Sequence, residues 1–276
     1  MMYLLSPEGR EAMRVVAGGP ILYAFDFDGT LAKISPDRES VKLTRSIHEW
    51  LVELAKRAPC AVISGRALSD LAPRVNGAVP YLIGNHGLES PLTPSVTLLW
   101  ADGICAGWRA AIKGELAPQL ADLGIDVEDK RYSLTLHYRE REEEDSIRPI
   151  LLTLLSRLGP APRLIIGKQS INLLPPGKGG KGAAALALMR HLRQPGFFFI
   201  GDDETDEDVF ALTEGLAMGV RVGPRAGSRA KFYIKHQGEI EDVLRFLIHR
   251  LDRTPEQGQH ADRPAMTHRK EAEHDG

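Results

Sequence analysis

Residues 21–30 read ILYAFDFDGT. An unbroken apolar run closes on two carboxylates, Asp26 and Asp28, and then on Gly29 and Thr30. Runs of this kind mark strands buried on both faces of a parallel sheet. Three further segments share the form: CAVISGR at 60–66, YLIGNHG at 81–87 and FFFIGDDETDED at 197–208. Each passes from apolar residues into glycine or polar residues at its C-terminal side. Helical patterns separate them, so the predicted class is an open α/β sheet of Rossmann-like form. In such sheets ligands bind outside the carboxyl ends of the strands.

The segments outside these strands complete the outline. Residues 6–17 predict a helix capped by Ser6 with Pro7 in its first turn. Residues 39–57 predict a second helix, with Val41, Leu43, Ile47, Trp50, Leu51 and Leu54 on one side. The middle of the chain differs: a helix over 104–122, two half-exposed strands over 125–139, a helix over 141–158 with an acidic first turn, and a hairpin over 163–175 turning at Gly167 and Lys168. This is a smaller α/β unit inserted into the larger one. The sheet pattern resumes with an alanine-rich helix over 178–193, the strand at 197, short strands at 216–220 and 231–236, and a helix over 239–251. The expected division is a core of 1–100 and 176–252, an inserted unit of 101–175, and a disordered polar tail of 253–276.

Hydrophobic residues make up 43% of the 276, enough for a sizeable core. The formal charge is −2, which argues against general nucleic-acid binding. Cys60 and Cys105 form no disulfide framework and fit a reducing compartment. The first residues lack the apolar stretch of a signal peptide, and no run approaches the ~20 apolar residues that span a bilayer. The expectation is a soluble cytoplasmic protein with no membrane partner, a monomer or weak dimer.

Asp26 and Asp28 lie at i and i+2, so in a strand they start on one side. Two carboxylates that close raise each other's pKa. A divalent cation removes the difficulty, and an all-oxygen ligand set favours Mg²⁺. Asp202, at the end of the 197 strand, is placed to reach the same ion. A carboxylate beside a phosphate can attack phosphorus and form an aspartyl-phosphate. The phosphoryl oxygens then need donors: the Ser64 hydroxyl, the Lys181 ammonium and the backbone N–H groups near Gly29 and Thr30. Asp28 can protonate the leaving oxygen and later activate water.

DFDGT, a serine after the second strand, a lysine, and GDDETD, in that order, resemble the haloacid dehalogenase (HAD) superfamily of phosphatases. SGR, GNHGLE at 84–89, EDK with LTLHYR at 128–139, Gly167-Lys168 and GDDETDEDVF at 201–210 resemble its trehalose-6-phosphate phosphatase family. The resemblance implies a HAD core with an inserted α/β cap. Asp26 is then the nucleophile and Asp28 the general acid/base. Mg²⁺ is held by the Asp26 carboxylate, the Asp28 backbone carbonyl and Asp202, with Asp206 in support, and Ser64 and Lys181 hold the phosphate. Cap residues Glu128, Lys130, Arg139 and Lys168 grip sugar hydroxyls, and Arg66, Asn85 and His86 line the core side. The chain departs from the family pattern at Asn172 and Leu174, where that pattern carries glutamate and arginine. Asn172 can still bond a hydroxyl, but without charge.

Competing readings are weaker. Neither acidic run has the glycine that an EF-hand loop requires. Gly177 to Gly182 satisfies G-x-G-x-x-G, but Pro175 and Pro176 cut it off from the strand that should feed it. Ser64 alone would read as a helix cap, His137 as one exposed strand position, and Glu140 to Asp145 as a solvated helix start. The function this reading predicts is Mg²⁺-dependent hydrolysis of trehalose 6-phosphate. The alternatives are phosphatase action on a glucosyl- or mannosyl-phosphoglycerate or sucrose phosphate, and a non-catalytic sugar-phosphate sensor.

Overall fold

The protein is described from a computed structural model covering residues 1–35, 37–138, 144–167, 169–177, 179–212 and 217–253. Arg139, Lys168 and nearly all of the expected tail lie outside these residues.

Seven parallel strands form the main sheet. In chain order they are β1 (Met2–Tyr3), β2 (Leu22–Phe25), β3 (Cys60–Ile63), β4 (Tyr81–Ile83), β9 (Phe197–Gly201), β10 (Ala217–Val222) and β11 (Phe232–Ile234). Their spatial order is β1-β11-β10-β9-β2-β3-β4. From β2 the chain runs outward through β3 and β4; from β9 it runs the other way. The reversal point lies between β2 and β9, where Phe25 pairs with Ile200. That is where a crevice for ligands opens in a doubly wound sheet.

Side chains alternate across the central strands, which explains why their sequences are apolar throughout. Tyr23, Phe25, Cys60, Val62, Phe198 and Ile200 face one core. That core is closed by α1 (Pro7–Val16), α2 (Arg45–Ala55), α3 (Leu68–Val75) and α9 (Ile240–Asp252). Leu22, Ala24, Ala61, Ile63, Phe197 and Phe199 face the other, closed by α7 (Lys181–His191) and α8 (Glu207–Phe210). Ser6 caps α1 by accepting from Gly9 N, and Pro7 occupies its first turn, as the sequence predicts.

The inserted unit carries a four-stranded antiparallel sheet in the order β5-β6-β8-β7. Its strands are β5 (Asp126–Asp129), β6 (Leu134–His137), β7 (Arg163–Ile166) and β8 (Ser170–Leu174). The helices α4 (Ser95–Lys113), α5 (Ala117–Asp122) and α6 (Glu144–Leu155) accompany it, around a separate core that includes Trp108, Leu134, Leu151 and Ile171.

Several expectations need correction. Strand β2 stops at Phe25, not at Asp28. The helix expected over 39–57 begins only at Arg45, capped by Thr44, whose side chain accepts from Ile47 N. The helix expected over 104–122 is two: α4 runs from Ser95 to Lys113, with Gly114, a residue that disfavours helix, at its C-cap, and α5 starts at Ala117. The expected boundary between residues 100 and 101 therefore falls inside α4. Strand β1 has two residues, too few for any periodicity to reveal it in the sequence.

Candidate active site

Four chain segments bring the site together. Asp26 follows β2, Asp202 follows β9, Asp206 sits in the short turn after it, and Lys181 opens α7. Lys181 Nζ donates to Asp26 Oδ1 at 2.6 Å and to Asp206 Oδ1 at 2.8 Å. The three groups are at most 4% exposed. Carboxylate oxygens of Asp26, Asp202 and Asp206 all lie within 4.8 Å of one another.

One ammonium cannot neutralise three carboxylates. Burial, with Asp206 and Asp202 beside it, holds the Asp26 carboxyl well above its ordinary range despite Lys181. Burial, with Asp206 and Asp203 beside it, pushes Asp202 up to about 7. Burial raises Asp206 too. Lys181 is raised, because Asp206 and Asp26 outweigh the burial that opposes its charge. Asp202 Oδ1 is also buried without a hydrogen-bond partner. Gly29 lets that carboxylate approach: at φ 77° a Cβ there would stand 2.3 Å from Asp202 Oδ2. An orphaned oxygen, a surplus of negative charge and an all-oxygen donor set together fit a hard divalent cation.

Asp28 is not in this cluster. Because the strand ends before it, its side chain turns to Arg66, with Nε donating to Oδ2 at 2.8 Å and Nη2 to Oδ1 at 2.7 Å. Arg66 also donates to Asp70 Oδ2 at 2.7 Å and lies over the Phe27 ring. Asp70 in turn accepts from Arg74 Nε and Nη2. The sequence reading assigned Arg66 to a pocket wall and missed Asp70; the spacing of 66, 70 and 74 was the available signal.

Ser64, after β3, is buried and accepts from Arg66 N at 3.2 Å, which leaves its own proton to donate elsewhere. Thr30 Oγ1 is buried without a partner. The N–H groups of Gly29 and Thr30, expected to face phosphate, instead bond within the turn, to Ala32 O at 2.8 Å and Phe27 O at 3.4 Å.

Core and inserted unit meet above these groups. Lys130 Nζ donates to Gly65 O at 3.1 Å. Buried Asn85, in left-handed backbone at φ 47°, donates to Lys130 O at 3.1 Å and to Glu89 Oε2 at 2.6 Å, and accepts from Ser133 Oγ. Glu128 accepts from Arg38 Nη1 at 3.0 Å and pairs with His137 at 2.9 Å. Arg163 of β7 reaches Asp208 and Gly179 O. Arg38, Ser133 and Arg163 are contacts that sequence reasoning missed, since each joins residues far apart in the chain. The His86 ring is buried against Gly65, both its nitrogens without a hydrogen-bond partner in protein. Burial, with Lys130 and Lys181 nearby, lowers its pKa well below the ordinary value. Asn172 accepts from Thr135 Oγ1 at 2.8 Å and donates to Ile165 O at 3.4 Å.

The trehalose-phosphatase family model matches residues 24–233. The chain belongs to that family. The trehalose-phosphate phosphatase of Mycobacterium tuberculosis (strain H37Rv) is 34% identical over 256 residues, covering 87% of this chain and 64% of that protein. The one from Mycobacterium avium is 32% identical over 207 residues, covering 72% of this chain and 53% of that protein. The chain thus spans less than two thirds of the length of these relatives. Among solved structures, the C-terminal domain of a C. albicans trehalose-6-phosphate phosphatase superposes with a TM-score of 0.69 at 19% identity, over 90% of this chain and 98% of that one. A haloacid dehalogenase-like hydrolase from Bacteroides thetaiotaomicron superposes at 0.55 and 13% identity, over 82% and 98%. The fold of this family member is that of HAD-like hydrolases, as the motif order implies.

Proposed function

We propose that the protein is a Mg²⁺-dependent phosphatase that hydrolyses trehalose 6-phosphate to trehalose and phosphate, through an aspartyl-phosphate on Asp26. The observation that carries this reading is the convergence of Asp26, Asp202 and Asp206 on Lys181 at the reversal point of the sheet. The name of the relatives, trehalose-phosphate phosphatase, supports the choice of substrate.

The side chains of Asp26 and Asp202, the backbone carbonyl of Asp28, and Asp206 in support would hold the cation, which when bound neutralises charge on the phosphoryl oxygens. Asp26 Oδ1 is tied to Lys181, which fixes the carboxylate and leaves its other oxygen to attack phosphorus. Ser64 and Thr30 offer hydroxyl protons, and Lys181 a positive charge, to the transferring group. Asp28 protonates the departing sugar oxygen. It then takes a proton from the water that splits the aspartyl-phosphate.

The inserted unit, entered near Pro94, serves as a cap. Its Lys130 reaches Gly65, immediately beside Ser64, so closure excludes bulk water from the attack. Glu128 and Lys130, together with Asn85, His86 and Asn172, would meet the sugar. Arg139 and Lys168, outside the described residues, complete the set that the resemblance implies. No helix among the described residues is long and apolar enough to cross a membrane. The free buried Cys60 and Cys105 support a cytoplasmic location.

A second substrate reading rests on Asn172. Its side chain bonds Thr135 Oγ1 and Ile165 O and offers the sugar only a neutral amide where the family pattern carries a charge. That favours testing other glycosyl phosphates as substrates. Phosphate release from a panel of sugar phosphates, with Mg²⁺ and with chelator, separates the readings. Fastest Mg²⁺-dependent release from trehalose 6-phosphate supports the first. A faster phosphoglycerate glycoside or sucrose phosphate supports the second, and binding without release indicates a sensor.

A further inference from the structure

Helix α4 presents one face that nothing in the fold explains. Val96, Leu99 and Trp100 are 69%, 69% and 48% exposed. Gly103, Ala106, Gly107 and Ala110 continue the same stripe, all exposed. The spacing is the three-and-four alternation that keeps residues in one line along a helix. No charge interrupts it. Asp102 and Arg109, at its flank, are turned to each other at 2.9 Å, and Asp102 also holds Arg131.

The two glycines are the sharper anomaly. Both lie in ordinary helical backbone, so neither supplies a left-handed turn. A Cβ built on either would meet nothing within 4 Å, so neither makes room for a neighbour within the chain. Glycine is the residue that most weakens a helix interior after proline. Two of them, four apart on a solvent face, suit the close approach of a second backbone.

The order of large and small residues says which backbone. In an antiparallel crossing of two copies centred on Gly103, Trp100 faces Ala106, Leu99 faces Gly107 and Val96 faces Ala110. Each large side chain meets a small one, and the pairing repeats on the other side of the axis, as an isologous interface requires. We infer that α4 is a homodimer contact, cap against cap, with the partner helix seated on the 96–110 stripe. The stripe is about 21 Å of helix, and a strip about 10 Å wide falls well short of the ~800 Å² per partner of a standard interface. The dimer is therefore weak and transient.

Sedimentation velocity on the full chain, from about 1 to about 300 μM, tests this. Wild-type protein should shift from monomer to dimer across that range. Gly103→Leu and Leu99→Glu should weaken association at least about tenfold. Val15→Glu, at an equally exposed apolar residue on α1, should leave it unchanged. Gly103→Leu should also raise the monomer's melting temperature, since leucine is the better helix former, so loss of the dimer cannot be taken for unfolding. Wild-type protein that stays monomeric throughout, variants that associate like wild type, or a monomer that instead binds lipid vesicles through this face would each overturn the inference.

Discussion

Arg66 grips Asp28 with two parallel hydrogen bonds, at 2.8 Å and 2.7 Å, while its third nitrogen is held by Asp70. A guanidinium fork fits a carboxylate in one orientation only. The pair therefore aims the group proposed to give and take the proton, and we propose that Arg66 acts through Asp28.

Arg66→Lys should lower kcat about 10²-fold, the range that a positioned acid/base contributes, and change KM far less. A compact ammonium cannot make both bonds. Asp70→Asn should show a smaller loss of the same kind. Steady-state kinetics decide: a raised KM with kcat unchanged would return Arg66 to sugar binding.

Among the described residues, Lys181 is the ammonium bonded to buried Asp26 and Asp206, with half-buried Asp202 close beside them. Lys181→Met should destabilise the protein by about 3–5 kcal/mol in chelator, the cost of leaving buried charge unpaired, and Mg²⁺ should restore part of it. Urea unfolding with and without metal measures both effects. Equal stability of variant and wild type in chelator would contradict the electrostatic account.

Asp202→Asn should act with the opposite sign on the metal-free protein. Removing one of the crowded acids relieves repulsion, so the chelated variant should be more stable than wild type. Its Mg²⁺ affinity, by calorimetry, should fall at least about tenfold. A variant that binds Mg²⁺ as wild type does would show that Asp202 is not a ligand.

Glu128 gives a pH signature at the junction of core and cap. Burial acts to raise its pKa, but His137, Lys130 and Arg38 prevail and lower it to about 2 from the usual 4.5. A depressed carboxylate stabilises the fold above its unfolded pKa and loses that contribution as pH falls through the folded value. Glu128→Gln should therefore cost about 1–2 kcal/mol near pH 7, after discounting for solvent screening. The gap from wild type should close between pH 4.5 and about 2. A gap that persists at pH 2 would mean that packing, not charge, is responsible.

The strands and the clustered carboxylates at their ends were legible because buried parallel strands leave unbroken apolar runs and the polar residues follow directly. Lys181 was legible only through its place in a motif, since nothing local marks a lysine as buried. The Arg66–Asp28 pair was hidden, because alternation along a strand predicts Asp28 beside Asp26 and the strand ends three residues too soon for that. Arg38 with Glu128, and Asn85 with Ser133, join residues far apart in the chain and follow only from docking of the two units. The left-handed backbone at Asn85 and His86 gave no more than a hint in GNHG.

The central claim is that Asp26 becomes phosphorylated. Rapid quench of the protein with trehalose 6-phosphate and Mg²⁺, followed by peptide mass spectrometry, tests it most directly. The account predicts a phosphoryl group on the peptide carrying Asp26, absent in chelator and in Asp26→Asn, which should fold but not turn over. Phosphate on another residue, or substantial turnover by Asp26→Asn, would contradict it.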